Sequence, residues 1–573
     1  MYNAKFIPLD SFYKPKSTKY AEICRMYQGV PTIAVTPKGR IFLGWHAGGL
    51  LEPSMYNYNV LVYSDDDGAT WSEPLLVTPS SIPHEIHVVD AQLFIDPEGI
   101  LHLIWVQDNV KLRTDDHASV KPSKRRFVAD CNYYYTKDLE HSCWEMLCLD
   151  PDAEELVFTQ PKYIHSGFLT NRPLFLTDKH WLSFAYGGYT DQNSYEITYD
   201  GGKSYTRRYS GKKWPGPYDE GMGYKMEDGT IRLFIRNNDW HIAETFSHDN
   251  GESFEDCRLT DIPNANSKFH LTKLPSGRVM LIHNNHDQIR KDMTVRLSED
   301  DGKTWKYSLC IDPRVTSYPD AQYHNGRIYL SYDCGRTKDR EIVFCTFTEE
   351  DVIEGREIKL STVSKPAPAP NRARIGETIE RTMLIPTLPY MEKEALLAAA
   401  RAFYDAGVKL LAVRFPGDLS VSDEKVGEAI KELALKYGKN MYIGGANVLT
   451  TEQARRTRIA GGVFAICPNV DKEVVFEICN IGMLSLAGAF TQSEIREADR
   501  FCSDFVSLYP ATSLDAEKLL GAGASMPSVK MIAYYTDKRS AKMLSLAGAT
   551  AFIYESDGRE DKKSVSKILK GLE

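Results

Sequence analysis

Three groups of residues in this chain of 573 amino acids have types and spacings that could carry chemistry. The first is His-Glu-Ile-His at 84–87, which offers two histidines as metal ligands. They stand three apart, so on an extended strand they face opposite sides, and no third ligand sits at a suitable spacing. No metal is expected there, and nothing else in the chain asks for a cofactor. The second group is the 11 cysteines. None forms a CxxC pair or stands at zinc-site spacing with histidine. Free thiols in a reducing compartment, the cytoplasm, are the expectation. The third group is a pattern, Ser/Thr-x-Asp-x-Gly-x-Ser/Thr-aromatic, that occurs four times. Its copies are Ser64, Asp66, Gly68, Thr70, Trp71; Thr198, Asp200, Gly202, Ser204, Tyr205; Ser247, Asp249, Gly251, Ser253, Phe254; and Ser298, Asp300, Gly302, Thr304, Trp305. Each aspartate can accept hydrogen bonds from its own turn, each glycine supplies a positive φ, and each aromatic can pack beneath a hairpin. That chemistry is structural, so no site residue is sought there. A decayed copy is expected around Thr136, Asp138 and Trp144.

The copies recur at intervals of about 50–70 residues, which suits one four-stranded blade each. Around them run short alternating segments such as RIFLGWHAG (40–48), GILHLIWVQ (99–107), TIRLFIRN (230–237) and RVMLIHNN (278–285), closed by Gly, Asp or Asn. These read as antiparallel strands. The stretch STVSKPAPAPNRARIGE (361–377) then interposes alternating prolines, which favour an extended spacer. Beyond it, helix and strand alternate strictly: MEKEALLAAARAFYDAG (391–407) precedes VKLLAVRF (408–415), and three further units follow. That order implies a parallel sheet closed as a barrel. The expected class is therefore multidomain: an all-β domain of four-stranded blades over 1–358, a Pro-rich linker over 359–378 and an α/β TIM-type barrel over 379–573.

Composition agrees. Hydrophobic residues make up 42% and charged residues 26%, which excludes a largely disordered chain. The net charge of −9 provides no basic field for nucleic acid or an anionic membrane. No apolar run approaches the roughly 20 residues of a membrane helix. The opening MYNAKFIPLDSFYKPK lacks the apolar centre of a signal peptide.

The repeats are Asp boxes, and the first 358 residues resemble the sialidase-like six-bladed propellers. The resemblance implies a site at one mouth of the central channel, with arginines that hold a substrate carboxylate. It also implies a tyrosine nucleophile served by a glutamate base, and a carboxylic acid. DEGMGYKMEDGTIRLFIR (219–236) maps the glutamate to Glu220 and one arginine to Arg236. HDQIRKDMTVRLSEDDGKTW (286–305) maps another to Arg290, and TSYPDAQ (316–322) maps the nucleophile to Tyr318. The motif that would supply a further arginine reads YQGVP (27–31), leaving Gln28 or Gly29 in its place. The loop that would supply the acid, AGGLLEPSMYNY (47–58), has Glu52 as its only carboxylate, and Asp90 is the alternative. A bacterial set of sialidase-like proteins that open with Gln-Gly-aliphatic-Pro shares the NRP (171–173), DE (219–220), NSK (266–268) and SYPD (317–320) segments. His46, Arg172, Asn266, Lys268 and Asp320 join Gln28 as expected substrate contacts, with Asn171 nearby.

Residues 379–573 resemble 2-keto-3-deoxy-6-phosphogluconate aldolases, through AGVKLLAVRF (406–415), IGGANVLTTEQ (443–453), AGGVFAICPNV (460–470), LAGAFTQSEI (486–495) and FVSLYPAT (505–512). That family is usually trimeric, so a homo-oligomer, with a trimer favoured, is expected. The resemblance puts Ser507 where the Schiff-base lysine belongs and Ala412 where the proton-shuttling glutamate belongs. IAYYTDK (532–538) replaces the phosphate turn. A serine hydroxyl forms no imine. The expected activity is exo-hydrolysis of a terminal acidic sugar on a small oligosaccharide or glycoside. The alternatives are a non-catalytic carbohydrate-binding scaffold, or a bifunctional hydrolase and keto-deoxy-sugar aldolase.

Overall fold

The computed structural model describes residues 4–112, 133–135, 141–186, 194–209, 220–418, 420–508, 521, 523, 526 and 528–572. Thr136, Asp138, Asp219 and residues 509–512 of the sequence motifs lie outside them.

Six antiparallel sheets of four or five strands follow one another along the first part of the chain. Their inner strands, blades 1 to 6, are Gln28–Val35, Ile86–Ile95, Leu174–Phe175, Gly221–Lys225, His270–Lys273 and Thr316–His324. This is a six-bladed propeller. Each blade is covered on both faces by its neighbours, so strands such as Gln28–Val35 and Ile41–Ala47 are buried along their whole length.

The ring closes through side chains. Blade 6 reaches across to the backbone of the inner strand of blade 1. Val30 N–H donates to Asp333 Oδ2 (2.9 Å), Ile33 N–H to Asp320 Oδ2 (3.0 Å) and Val35 N–H to Gln322 Oε1 (2.9 Å). Gln322 Nε2 donates back to Val35 O (2.8 Å).

All four Asp boxes form as the pattern predicts, between the third and fourth strands of blades 1, 3, 4 and 5. In the first, Ser64 Oγ donates to Asp66 Oδ1 (2.8 Å), and Asp66 accepts from the Thr70 N–H (2.8 Å) and hydroxyl (2.6 Å). The boxes also tie blades together. Trp71 packs edge-on against Phe344 of blade 6 (5.4 Å between centroids). A Cβ on Gly68 (φ 81°) would sit 2.2 Å from that same ring. The Gly251 and Gly302 boxes lie against Leu182 of blade 3 and Tyr224 of blade 4 in the same manner.

The second part is a closed barrel of eight parallel strands, from Leu384–Leu388 to Ala551–Glu555, which pair with each other. Helices cross between them, capped by the residues expected of helix starts: Ser422, Thr450, Asp471, Thr491 and Asp537 each accept from a first-turn N–H.

Two boundaries differ from the sequence expectation. Ser361–Ser364, with its β-branched Thr362 and Val363, pairs with Glu341–Phe347 as the outer strand of blade 6. Asn371 caps a helix over Arg372–Thr382. The connection is therefore Lys365–Pro370, shorter than 359–378. The chain also divides into two compact units in an interleaved way. Tyr27 opens the propeller stretch, but Ser17–Met26 belongs with the barrel. There Cys24 joins the barrel core, the Thr18 hydroxyl donates to Glu452, and Arg455 Nε donates to Thr18 Oγ1 (3.0 Å).

Gly68→Ala is expected to lower stability by about 1–3 kcal/mol in urea unfolding, from positive φ and the clash with Phe344 together. Gly277→Ala, at φ 87° with nothing within 4 Å of the new methyl, isolates the backbone share and should cost less.

Candidate active site

Three inner strands carry a register shift near their start, and each puts a residue with a side chain at positive φ there. They are Val30 (φ 55°) in blade 1, Asp90 (34°) in blade 2 and Tyr318 (55°) in blade 6. Asn266 (51°), just before the inner strand of blade 5, has the same conformation. Such bulges re-aim side chains, and each left-handed non-glycine residue costs about 1–3 kcal/mol.

At Tyr318 the strain places a phenol, 6% exposed, within a charged cluster. Tyr318 Oη donates to Glu220 Oε1 (2.8 Å) and accepts from Arg236 Nη1 (2.5 Å); the same Arg236 nitrogen lies 2.7 Å from Glu220 Oε1. Arg236 Nε donates to Asn266 Oδ1 (2.8 Å), and Arg290 Nη2 donates to the Asn266 carbonyl (2.5 Å). Strained Asn266 thus holds both arginines. The Arg290 guanidinium lies 5.3 Å from the centroid of the Tyr318 ring. Burial pushes the Tyr318 hydroxyl up; Arg236, Arg290 and Arg336 pull it down, and Glu220 adds to the rise. The four residues that the sequence tied together, Tyr318, Glu220, Arg236 and Arg290, therefore do meet in one place.

A second arm faces the same ring. The Arg336 guanidinium lies 4.2 Å from the Tyr318 centroid. Its Nε donates to Asp333 Oδ2 (3.0 Å) and its Nη1 to Glu52 Oε2 (3.3 Å). Tyr27 Oη donates to the same Glu52 oxygen (2.5 Å). Burial alone would raise Glu52, but His46, Arg336 and the Tyr27 hydroxyl hold it below the usual carboxylate range. Asp90 is the opposite case. It is buried, its Oδ1 finds no partner among the described residues, and burial with the nearby Glu52 and Glu220 charges raises its carboxyl well above normal. His46 is buried, with Nδ1 3.1 Å from Asn59 Oδ1 and its ring edge-on to His87 (6.0 Å). Burial lowers its pKa, against the pull of the nearby Glu52. Within HEIH, His84 instead meets Ser81 Oγ (2.7 Å) in a turn. Sequence reasoning missed Arg336, Tyr27 and Tyr186; the last is a buried phenol that senses Glu220, Tyr318 and Asp90.

Several expected substrate contacts are structural instead. Gln28 is fully buried, with Nε2 donating to Arg340 O (2.8 Å) and Oε1 accepting from Trp45 (2.9 Å) and Ser364 (3.0 Å). Its amide is spent on the scaffold. Asp320 is fully buried too, accepting from Thr32 Oγ1 (2.8 Å) and Ile33 N–H, with Arg172 Nη2 and His270 Nδ1 each 3.3 Å away. Arg172 also donates to Ile33 O (2.9 Å). Asp320 and Arg172 form a knot joining blades 1, 3, 5 and 6 rather than a sugar contact. Burial would raise Asp320, but Arg172, Lys268 and His270 hold it far below normal. Lys268 is 1% exposed; burial lowers its pKa against the pull of Asp320, Glu220 and Asp90. It belongs between the knot and the cluster.

In the barrel, a cavity of about 310 Å³ opens at the C-terminal strand ends, lined by Thr387, Arg414, Asn447, Tyr534 and Glu555 among others. Arg414 Nη1 donates to Thr387 Oγ1 (2.7 Å) and Nη2 to Ser556 O (2.7 Å). Ser507 is fully buried, its hydroxyl without a partner among the described residues, and Ala412 is buried as well. Lys530 lies before its strand, paired with Glu380.

Comparison with known proteins separates along the same line. The BNR repeat-like domain family matches residues 149–330. Sialidase B of Streptococcus pneumoniae is 24% identical over 316 residues, 52% of this chain and 43% of its own length. The 2-dehydro-3-deoxy-phosphogluconate aldolase of Treponema pallidum is 28% identical over 148 residues, 26% of this chain and 67% of its own. A probable 2-dehydro-3-deoxy-6-phosphogalactonate aldolase of Rhizobium meliloti is 31% identical over 85 residues, 15% of this chain and 40% of its own. This chain thus spans less than half the length of the sialidase and of the Rhizobium protein.

Asp320→Asn is expected to cost about 3–5 kcal/mol at pH 7, because it leaves Arg172 buried without its counter-charge. A depressed carboxylate contributes above its unfolded pKa and loses that contribution as pH falls through the folded one. Urea unfolding from pH 7 downward should therefore show a constant difference between variant and wild type that shrinks only below about pH 4.

Proposed function

We propose that this chain, which joins a sialidase-like propeller to an aldolase-like barrel, is an exo-glycoside hydrolase that removes a terminal acidic sugar. The observation that carries the reading is the Tyr318 hydroxyl, held between Glu220 Oε1 and Arg236 Nη1. Glu220 takes the phenolic proton as Tyr318 Oη attacks the anomeric carbon. Three guanidinium groups around the ring stabilise the phenolate character that develops. A neutral phenol suits an anionic sugar, since a carboxylate nucleophile would be repelled by it.

The leaving oxygen needs a proton, and Asp90 is the better donor of the two candidates. Glu52 is engaged by Tyr27 and Arg336 and kept ionised, whereas Asp90 has an unpartnered oxygen and retains its proton to higher pH. The bond from the anomeric carbon to the leaving oxygen breaks as Asp90 gives up its proton. Ionised Asp90 then deprotonates the water that displaces Tyr318, and Glu220 returns the phenolic proton. Two displacements retain the anomeric configuration.

Ser507 offers the barrel no imine chemistry, and we read that domain as an assembly element that brings copies of the chain together, as a trimer. Exposed Leu435 (74%) and Leu546 (79%) on its outer helices support this reading, and light scattering tests it.

Tyr318→Phe should abolish turnover of aryl glycosides of acidic sugars while leaving binding measurable. Asp90→Asn should cut turnover about 10²–10⁴-fold with alkyl leaving groups but far less with 4-nitrophenyl, which needs no proton. It should also remove the decline in rate as pH rises. If Glu52→Gln shows this leaving-group dependence and Asp90→Asn does not, the acid is reassigned. Borohydride reduction with pyruvate should leave no covalent adduct on the barrel.

A further inference from the structure

One buried charge has no task in the scheme above. Lys268 is 1% exposed and makes no hydrogen bond or ion pair with any described residue. Burial works against its charge, which Asp320, Glu220 and Asp90 support and Arg172 opposes. A lysine kept in such a place without a partner calls for an explanation.

Register says where it stands. In the knot, Thr32 Oγ1 donates to Asp320 Oδ2 (2.8 Å), Gln92 Nε2 to Thr32 Oγ1 (2.9 Å), and His270 Nδ1 lies 3.3 Å from Asp320 Oδ1. Two residues earlier on the same four segments, towards the mouth, come Val30, Asp90, Lys268 and Tyr318. Lys268 therefore belongs to the layer of Tyr318. The turn that delivers it is pinned: Asn264 Nδ2 donates to Ser267 O (2.9 Å) and Ser267 N–H to Asn264 Oδ1 (3.0 Å), with Asn266 at φ 51° between them. Asp90 comes from blade 2 and Lys268 from blade 5, which stand opposite in a ring of six.

The three carboxylates near Lys268 differ in what they already hold. Asp320 has Thr32, Ile33, Arg172 and His270. Glu220 has Arg236 and the Tyr318 hydroxyl. Asp90, 4% exposed, has an oxygen without a partner among the described residues. Every other blade sends it a titratable group: Glu52, Tyr186, Glu220, Lys268 and Arg336. Two of these, Lys268 and Arg336, are cations, and Arg336 is already engaged by Asp333 and Glu52.

We propose that Lys268 is the charge partner of Asp90, a positioning residue whose ammonium, fixed across the channel axis, faces the carboxylate that Asp90 becomes when it protonates the leaving oxygen. The electron pair of the broken bond goes to that oxygen with the Asp90 proton, Lys268 keeps its own, and the incoming water restores the proton of Asp90. Without the ammonium Asp90 holds its proton too tightly to give it up readily. The role in the reaction rests on the hydrolase reading; the pairing is a property of the free protein.

The test uses the full chain with Lys268→Met, which keeps the length of the side chain and removes its charge, and Lys268→Gln. Thermal melts establish that each is folded. The infrared band of protonated Asp90, assigned by its loss in Asp90→Asn, reads the carboxyl without turnover. Both neutral variants should raise the pH at which it titrates by about one unit. The alkaline limb of the rate profile should move up with it. In kcat/KM, alkyl glycosides should lose about 3–10-fold and 4-nitrophenyl glycosides less than about 2-fold. The converse measurement leaves Lys268 in place: by NMR of labelled lysine, Asp90→Asn should lower the pH at which the buried ammonium titrates. If neither group responds to loss of the other, the pairing falls and the hydrolase reading stands. If Asp90 shifts but both classes of glycoside lose rate alike, the role of Lys268 in the reaction falls. If the groups respond to each other and the wild type turns over no glycoside, the hydrolase reading falls and the pairing stands.

Discussion

A phenol hydroxyl kept out of water between a carboxylate and a guanidinium is the interaction on which this propeller is organised. Neither charge would tolerate that burial alone, and the pair tolerates it only at hydrogen-bond distance. Distances of 2.5–2.8 Å among Tyr318, Glu220 and Arg236 require blades 4 and 6 to keep their spacing. The bulged inner strands are the means. A regular strand at Tyr318 would continue its alternation of faces, whereas the left-handed residue breaks it and turns the ring to the axis.

Beneath that layer sits a second one with a different task. Asp320 gathers a hydroxyl, a backbone N–H, an arginine and a histidine from three other blades. Its charge meets partners on every side, whereas Arg290 donates to the Asn266 carbonyl and pairs with no carboxylate among the described residues. The Asp boxes, where glycine and aromatic residues make the contact, seat blades 1, 3, 4 and 5 each on the one before.

The sequence made much of this legible, for identifiable reasons. Asp boxes are local and repeat, so the blade as a unit could be read from them, while the count of six came from the resemblance to sialidase-like propellers. Glu220, Arg236, Arg290 and Tyr318 stand at set offsets from boxes, so their meeting could be anticipated. Gln28 and Asp320 were misassigned because a polar residue near the start of an inner strand can equally zip one blade to the next. Arg336 was missed because GRTKDR (335–340) reads as an ordinary charged turn. The one available signal was Gly29, a residue without a side chain where an arginine had been looked for. Ser17–Met26 escaped notice because its partners, such as Glu452, lie more than four hundred positions away. Tertiary contacts of that span leave no local periodicity to read.

The interleaving of the two units has a consequence for how the protein is made. Cys24 and Thr18 emerge from the ribosome before the stretch that begins at Tyr27, yet the helix that receives Thr18 is synthesised only after that whole stretch. The short segment must wait, unsheltered, through the translation of some three hundred and forty residues up to Pro366 before its barrel exists. Neither unit is a single uninterrupted length of chain, so a gene cut at the proline stretch would yield a barrel lacking a piece of its own core.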